Sequence, residues 1–225
     1  MWLVDGELLV AHDRDKVQPG RTLESLYLEP MRRIIKENGG SVYEEDPDYF
    51  TLLIDIKSDA VPTYQALHKE LRDYQGMLTR FGPGGVKDRP VTAIVSGNRP
   101  RELMQEQRVR YAAYDGRLSD LGIATDQTFV PLISDNWTRH FTWQGVGPML
   151  PAEREKLRNI VATAHSNGQR VRFYATPDLA PAREAVWQEL LAAQVDYLNT
   201  DHLDALEAFL LQNDPQPTEP HVYWK

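Results

Sequence analysis

Short apolar runs alternate along this chain with stretches in which apolar residues recur every three or four positions. The first pattern predicts buried strands and the second amphipathic helices. Strands are expected at residues 7–12 (ELLVAH), 51–57 (TLLIDIK), 91–96 (VTAIVS), 110–114 (RYAAY), 130–134 (VPLIS), 171–175 (VRFYA) and 195–199 (VDYLN). Helical spacing covers residues 22–38, interrupted at Pro30 and closed by Gly39-Gly40, and residues 63–79 and 101–107. It returns at 152–166, which Asn167-Gly168 ends, at 181–193, with Pro181 in a first-turn position, and at 202–211. Residues 1–4 are strand-like from the first position. A domain rarely begins inside a strand, so a shortened N-terminus is expected.

Seven strands separated by helices imply a parallel sheet covered by helices. The expected fold is α/β, a (β/α)8 (TIM) barrel one strand short, over residues 1–212, with the Pro-rich, polar residues 213–225 as a tail. A doubly wound open sheet is the alternative, but no glycine-rich dinucleotide turn is present. Gly82-Pro83-Gly84-Gly85 precedes a strand instead of following one, which suits a plain turn and not a phosphate cradle. No internal repeat or linker divides the chain.

Composition narrows the function classes. At 225 residues, 41% hydrophobic and 26% charged, the chain suits a single domain of barrel size. A net charge of −8 argues against a nucleic-acid groove, which needs clustered Lys and Arg. It leaves open small phosphate substrates, which one lysine and one cation can bind. With no cysteine there is no disulfide, thiolate metal site or Cys nucleophile. No apolar run approaches the roughly 18 residues of a membrane span, and no signal-peptide pattern opens the chain.

Barrel enzymes place chemistry at the C-terminal ends of strands. Asp55 and Lys57, two apart on one strand, project to the same face. A carboxylate that binds a hard cation such as Mg2+ or Ca2+, beside an ammonium that neutralises phosphate, suits metal-assisted phosphoryl chemistry. The alternative is a plain ion pair at a strand end. His12 closes an apolar strand, where a histidine can act as acid or base or can be structural. Trp137 and Trp143 flank His140 in a long loop that could bind a ligand or cap the barrel. The acidic residues 44–48 suit a solvated loop. Neither HExxH nor GxSxG occurs. A sugar hydrolase would need two carboxylates, for which Asp55 and Asp135 are the candidates.

The segments VDGELLVAHD (4–13), LLIDIKSD (52–59), VSGNRP (95–100), PLISDNW (131–137), VRFYATPD (171–178) and VDYLNTD (195–201) resemble, in order, the strand-end motifs of the glycerophosphodiester phosphodiesterase superfamily. That superfamily includes phospholipase C-like enzymes. Within it the chain is most similar to the bacterial and fungal group of altered inheritance of mitochondria protein 6. The resemblance implies a metal-dependent phosphodiesterase acting on glycerophosphodiesters or phospholipid head groups. In it His12 is a general acid, Asp55 a ligand of a weakly held Mg2+ or Ca2+, and Lys57 a phosphate contact. Asn98, Asn136, Trp137, Tyr174 and Asp201 (or Asn199) would then face the substrate. Relatives begin with a first strand that carries another catalytic histidine, and their second strand then carries an acid-x-acid metal pair. This chain starts after both, so the resemblance also implies a barrel with open edges that can self-associate, and a non-catalytic binding remnant as the alternative.

Overall fold

In the computed structural model, Asp5 and Gly6 both take positive φ, at 50° and 88°. The chain therefore doubles back at once. β1 (Trp2–Val4) and β2 (Glu7–Leu9) form an antiparallel hairpin, with Trp2 opposite Leu9. This corrects the expectation that residues 7–12 form a parallel barrel strand. A two-residue turn with positive φ at both positions favours a hairpin, and Asp-Gly supplies it. Residues 1–44, 50–123, 126–215 and 220–222 are described, in two units, Met1–Tyr114 and Asp115–Lys225. Most of the acidic loop expected at 44–48 lies outside the described residues.

In the first unit a wide π turn, Glu24–Leu28, runs into α1 (Glu29–Glu37). Pro30 has no N–H to donate and crowds the carbonyl four residues back, and a wider turn relieves both constraints. β3 (Phe50–Ile56) and α2 (Ala60–Asp73) follow. A small antiparallel hairpin of β4 (Arg80–Gly82) and β5 (Gly85–Lys87) confirms the plain turn at Pro83-Gly84. β6 (Val91–Gly97), α3 (Arg101–Glu106) and β7 (Ala113–Gly116) complete the series. β3 pairs in parallel with β6 along its full length, from Phe50 opposite Val91 to Ile56 opposite Gly97. The first residues of β7 then pair in parallel with β6. Leu52, Ile54 and Ile56 are buried, as are Tyr64, Leu67 and Leu71 of α2. Leu53 and Asp55 take the opposite face of β3, as the period of two requires.

The second unit opens on the end of β7. β8 (Leu132–Asn136) leads into the short α4 (Trp137–His140) and then α5 (Pro151–Ser166). β9 (Arg170–Tyr174), α6 (Ala182–Ala192), β10 (Tyr197–Leu198) and α7 (Leu203–Asn213) follow. These strands pair in parallel in chain order, β7 with β8, β8 with β9 and β9 with β10. Val171 and Phe173 of β9 join Leu157, Val161, Val186 and Leu190 in one core cluster. Alternate residues, Ser134, Arg172 and Tyr174, occupy the other face.

Six parallel strands are thus present among the described residues, where seven were expected. Three of them begin later than their apolar runs, the last, expected at 195–199, spanning Tyr197–Leu198. The run at 110–114 gives way to Ala113–Gly116 because Arg110 is taken by an antiparallel bridge to Phe81, with both N···O distances 2.9 Å. The run at 130–134 gives way to Leu132–Asn136. From the tail, Val222 is buried and its carbonyl accepts hydrogen bonds from the Arg170 guanidinium at 2.9 and 3.1 Å. No helix of the described residues is long and apolar enough to cross a membrane.

Candidate functional site

The end of β3 forms one wall of a cleft of about 270 Å³ in the first unit. Leu53, Asp55 and Lys57 line it together with His12, Leu23, Tyr27 and Met1. Three of the residues singled out in the sequence therefore share one cleft. Asp55 Oδ2 lies 2.8 Å from Lys57 Nζ, and both side chains reach solvent. An ion pair this exposed is worth roughly 0–1 kcal/mol, so it does little for stability. A lysine ammonium carries three donors, and Asp55 engages Nζ from one side.

Two features fix the geometry of this strand end. The N–H of Lys57 donates to the Met1 carbonyl at 2.8 Å, and Met1 N donates to the Asp55 carbonyl at 2.7 Å. Opposite, Gly97 at the end of β6 has φ of 71°, and a Cβ there would stand inside 3.0 Å of Asp55 Oδ1 and of Ile56 N and O. Asn98 then reaches back with its Nδ2 to the carbonyls of Lys57 (3.2 Å) and Ser58 (3.1 Å). Its amide hydrogens are thus directed at backbone, which makes Asn98 a brace for the Lys57 loop.

His12 is highly exposed, with Nδ1 2.9 Å from Asp13 Oδ1. A carboxylate only accepts, so Nδ1 carries the hydrogen in this contact, and Nε2 is the ring nitrogen that Asp13 does not engage.

The strand ends of the second unit carry a different constellation. Asp115 is fully buried and its Oδ2 lies 2.7 Å from Arg117 Nη1. Burial disfavours the charge of Arg117, but Asp115, Tyr174 and Asp135 outweigh this and hold its pKa above the usual value. Arg172 donates to Asn199 Oδ1 and, at 3.4 Å, to Ser134 Oγ, and its guanidinium lies 5.6 Å from the Tyr174 ring. Arg117 and Arg172 were missed by the sequence reading. The signal for Arg117 was the run Tyr114-Asp115-Gly116-Arg117, hidden by placing the strand too early.

Other expected residues have structural duties. Trp137 is fully buried, stacked on Phe141 at 4.1 Å and edge-on to Phe173, with Nε1 donating to the Trp143 carbonyl at 2.9 Å. It is a core side chain and not a ligand wall. Asn136 caps α4, with Oδ1 accepting from Thr138 N at 2.9 Å. Asp135 points to the opposite face from Asn136 and accepts from Asn136 N (2.7 Å) and Leu118 N (3.1 Å), with His140 Nε2 3.2 Å away. Burial raises its pKa, but those two N–H groups and His140 outweigh burial and hold it below the usual range. Asp201 is exposed. The two candidate sugar-hydrolase carboxylates are thus both committed, Asp55 to Lys57 and Asp135 to its donors.

No group of three His, Cys, Asp or Glu that could hold a metal ion occurs among the described residues. Asp55 offers a single carboxylate already facing an ammonium, so the residues present do not by themselves form a cation site.

Family models of phosphodiesterase domains match two stretches of the chain. The model of the AIM6-like phosphodiesterase domain matches residues 1–115, and that of the glycerophosphoryl diester phosphodiesterase family matches residues 170–204. Altered inheritance of mitochondria protein 6 of Eremothecium gossypii is 28% identical over 93% of the chain. The altered inheritance of mitochondria protein 6 homolog of Arthroderma benhamiae is 26% identical over 93% of the chain. The chain spans 62% of the length of the first and 72% of the second. No solved structure matches it. The first match covers the hairpin, the β3 end and the cleft between them, and on that ground the chain belongs to the AIM6-like phosphodiesterase domain family.

Proposed function

We propose that this chain is a phosphodiesterase built on a barrel-type α/β scaffold, acting on glycerophosphodiesters or phospholipid head groups. The observation that carries the proposal is the meeting of His12, Asp55 and Lys57 in one cleft. Lys57 supplies a positive charge for a phosphate oxygen, and Asp55 fixes where that ammonium sits. His12 gives a proton from Nε2 to the leaving oxygen, while Asp13 orients the ring through Nδ1. Water-exposed placement of His12 leaves that nitrogen open to an incoming substrate.

At the second unit's strand ends, Arg117, Arg172 and Tyr174 are proposed to form an anion-contacting group of their own. Arg172, held by Asn199 and Ser134, presents its guanidinium in a set plane, which suits bidentate recognition. A divalent cation, Mg2+ or Ca2+, is proposed to join only with substrate. One protein carboxylate plus phosphate oxygens is a common way to hold Mg2+.

The test is hydrolysis of bis(p-nitrophenyl) phosphate and of glycerophosphocholine by the 225-residue chain, with Mg2+, Ca2+ or EDTA. Turnover that His12→Ala and Lys57→Ala each abolish is the expected result. Turnover untouched by both substitutions removes the proposed site. No turnover from a cooperatively folded sample, with phosphodiester still bound, favours the binding-remnant alternative.

A further inference from the structure

The sequence predicts residues 213–225 as a polar tail, yet part of that stretch is built into the second unit. Val222 is buried, and its carbonyl oxygen takes two bonds from the Arg170 guanidinium, from Nη2 at 2.9 Å and from Nε at 3.1 Å. Beside it, His221 stacks on His165 of α5 with ring centroids 5.9 Å apart. His165 Nε2 lies 2.9 Å from Asp196 Oδ2, an oxygen that also accepts from Val171 N at 2.7 Å. Two successive residues of the segment 220–222 therefore meet α5 and β9.

Arg170 opens β9 and is buried. A guanidinium keeps its charge and carries five N–H groups in a rigid fork, so its burial is costly wherever those groups lack acceptors. The Val222 carbonyl serves two of them. Nη1 donates to the Tyr197 hydroxyl at 2.7 Å, and the same ring lies 5.7 Å from the guanidinium carbon. Tyr197 begins β10, which has two residues and pairs with β9. So short a strand has few ladder bonds of its own, and side-chain ties to β9 count heavily. A second tie lies two residues further along each segment, where Arg172 donates to Asn199 Oδ1. Residues two apart on a strand share a face. Two arginines on one face of β9 thus clasp β10, and the segment 220–222 engages the first of them.

We infer that residues 220–222 are a positioning strap: by engaging Arg170 they fix Tyr197 and β10, and β10 in turn holds Asn199 against the Arg172 guanidinium. The functional consequence rests on the reading of Arg172 as an anion contact, because bidentate recognition needs the guanidinium plane to be set in advance. The strap itself rests on the geometry alone.

The full chain is compared with a chain ending at Glu219, each with and without Arg170→Met. Neither readout uses hydrolysis or anion binding, so failure of the anion-contact reading leaves the test intact. Hydrogen exchange of the Tyr197, Leu198 and Asn199 amides should quicken roughly tenfold or more without the strap. The separate NMR signals of the Arg172 Nη hydrogens, kept apart by hindered rotation, should merge. With Arg170→Met in place the full chain should already show both changes, and shortening it should add little. Unchanged exchange and unchanged Arg172 signals in the shortened chain overturn the strap, as does an equal effect of shortening with and without Arg170. Where the shortened chain does not fold, the full chain still decides. The Arg170 Nε–H, identified by its loss in Arg170→Met, should exchange slowly with solvent, and exchange as fast as that of an exposed arginine overturns the inference.

Discussion

Gly97 stands against Asp55 so closely that no other residue fits between them. Its φ of 71° and the place a Cβ would take, inside 3.0 Å of Asp55 Oδ1 and the Ile56 backbone, make the glycine a condition of the Asp55–Lys57 geometry. Gly97→Ala should therefore displace the β3 end. The expected cost is about 1–3 kcal/mol of stability, read by urea unfolding. Phosphodiester turnover should fall by more than that loss of folded protein explains. A variant of native stability and full turnover would show that the β3 end tolerates the shift.

Lys57 and His12 should fail differently. Lys57→Ala removes a charge that meets the substrate phosphate, a contact of roughly 2–4 kcal/mol, or 30- to 1,000-fold in kcat/KM. Lys57→Arg keeps the charge but changes its shape and should recover only part. His12→Ala should lower kcat, with little change in KM, because a proton given to the leaving oxygen matters only as that bond breaks. Its exposure predicts no loss of thermal stability. A His12→Ala chain with an unchanged kcat but a raised KM would make the histidine a binding group.

Asp115 and Arg117 offer a stability test. Asp115 is fully buried and Arg117 is its charge partner at 2.7 Å. Arg117→Met removes the guanidinium paired with a buried carboxylate, a cost of roughly 3–5 kcal/mol. Asp115→Asn combined with Arg117→Met should regain much of it, since both charges then leave together. Urea denaturation of the two single variants and the double variant reads this directly. Additive losses in the double variant would count against pairing.

How far the sequence discloses this molecule depends on how local each signal is. β3 and β6 were legible because their apolar runs are continuous and their neighbours polar. Asp55 and Lys57 followed from the period of two along β3. The β1–β2 hairpin was written in Asp5-Gly6, yet the apolar run after it outweighed the turn. β7 was misplaced because Asp115 reads as a strand breaker, while Arg117, a partner of the buried Asp115, lies outside the expected strand. Trp137 and Asn136 show the same limit. An aromatic next to a strand end suggests a ligand wall, but the facing Phe141 and Phe173 that draw it into the core come from a loop and another strand. The asparagine, in contrast, sits where helix N-caps are commonly found, so its duty was readable locally.

The pH dependence of stability should also show Asp135. Its carboxylate accepts from Asn136 N and Leu118 N and faces His140 Nε2, which together hold its pKa below the usual range despite burial. A carboxyl lowered on folding contributes stability that is present above its unfolded value, near 3.8, and lost as pH falls through the lower folded value. Asp135→Asn keeps the shape but weakens both backbone bonds, so the variant should be less stable at pH 7 by about 1–3 kcal/mol. The gap should close as the native chain is acidified below pH 4, because protonated Asp135 has lost the same advantage. Thermal unfolding of both chains from pH 3 to 7 checks this. A gap that stays constant to the lowest pH would mean that Asp135 acts through packing alone and that its charge holds neither Leu118 nor His140.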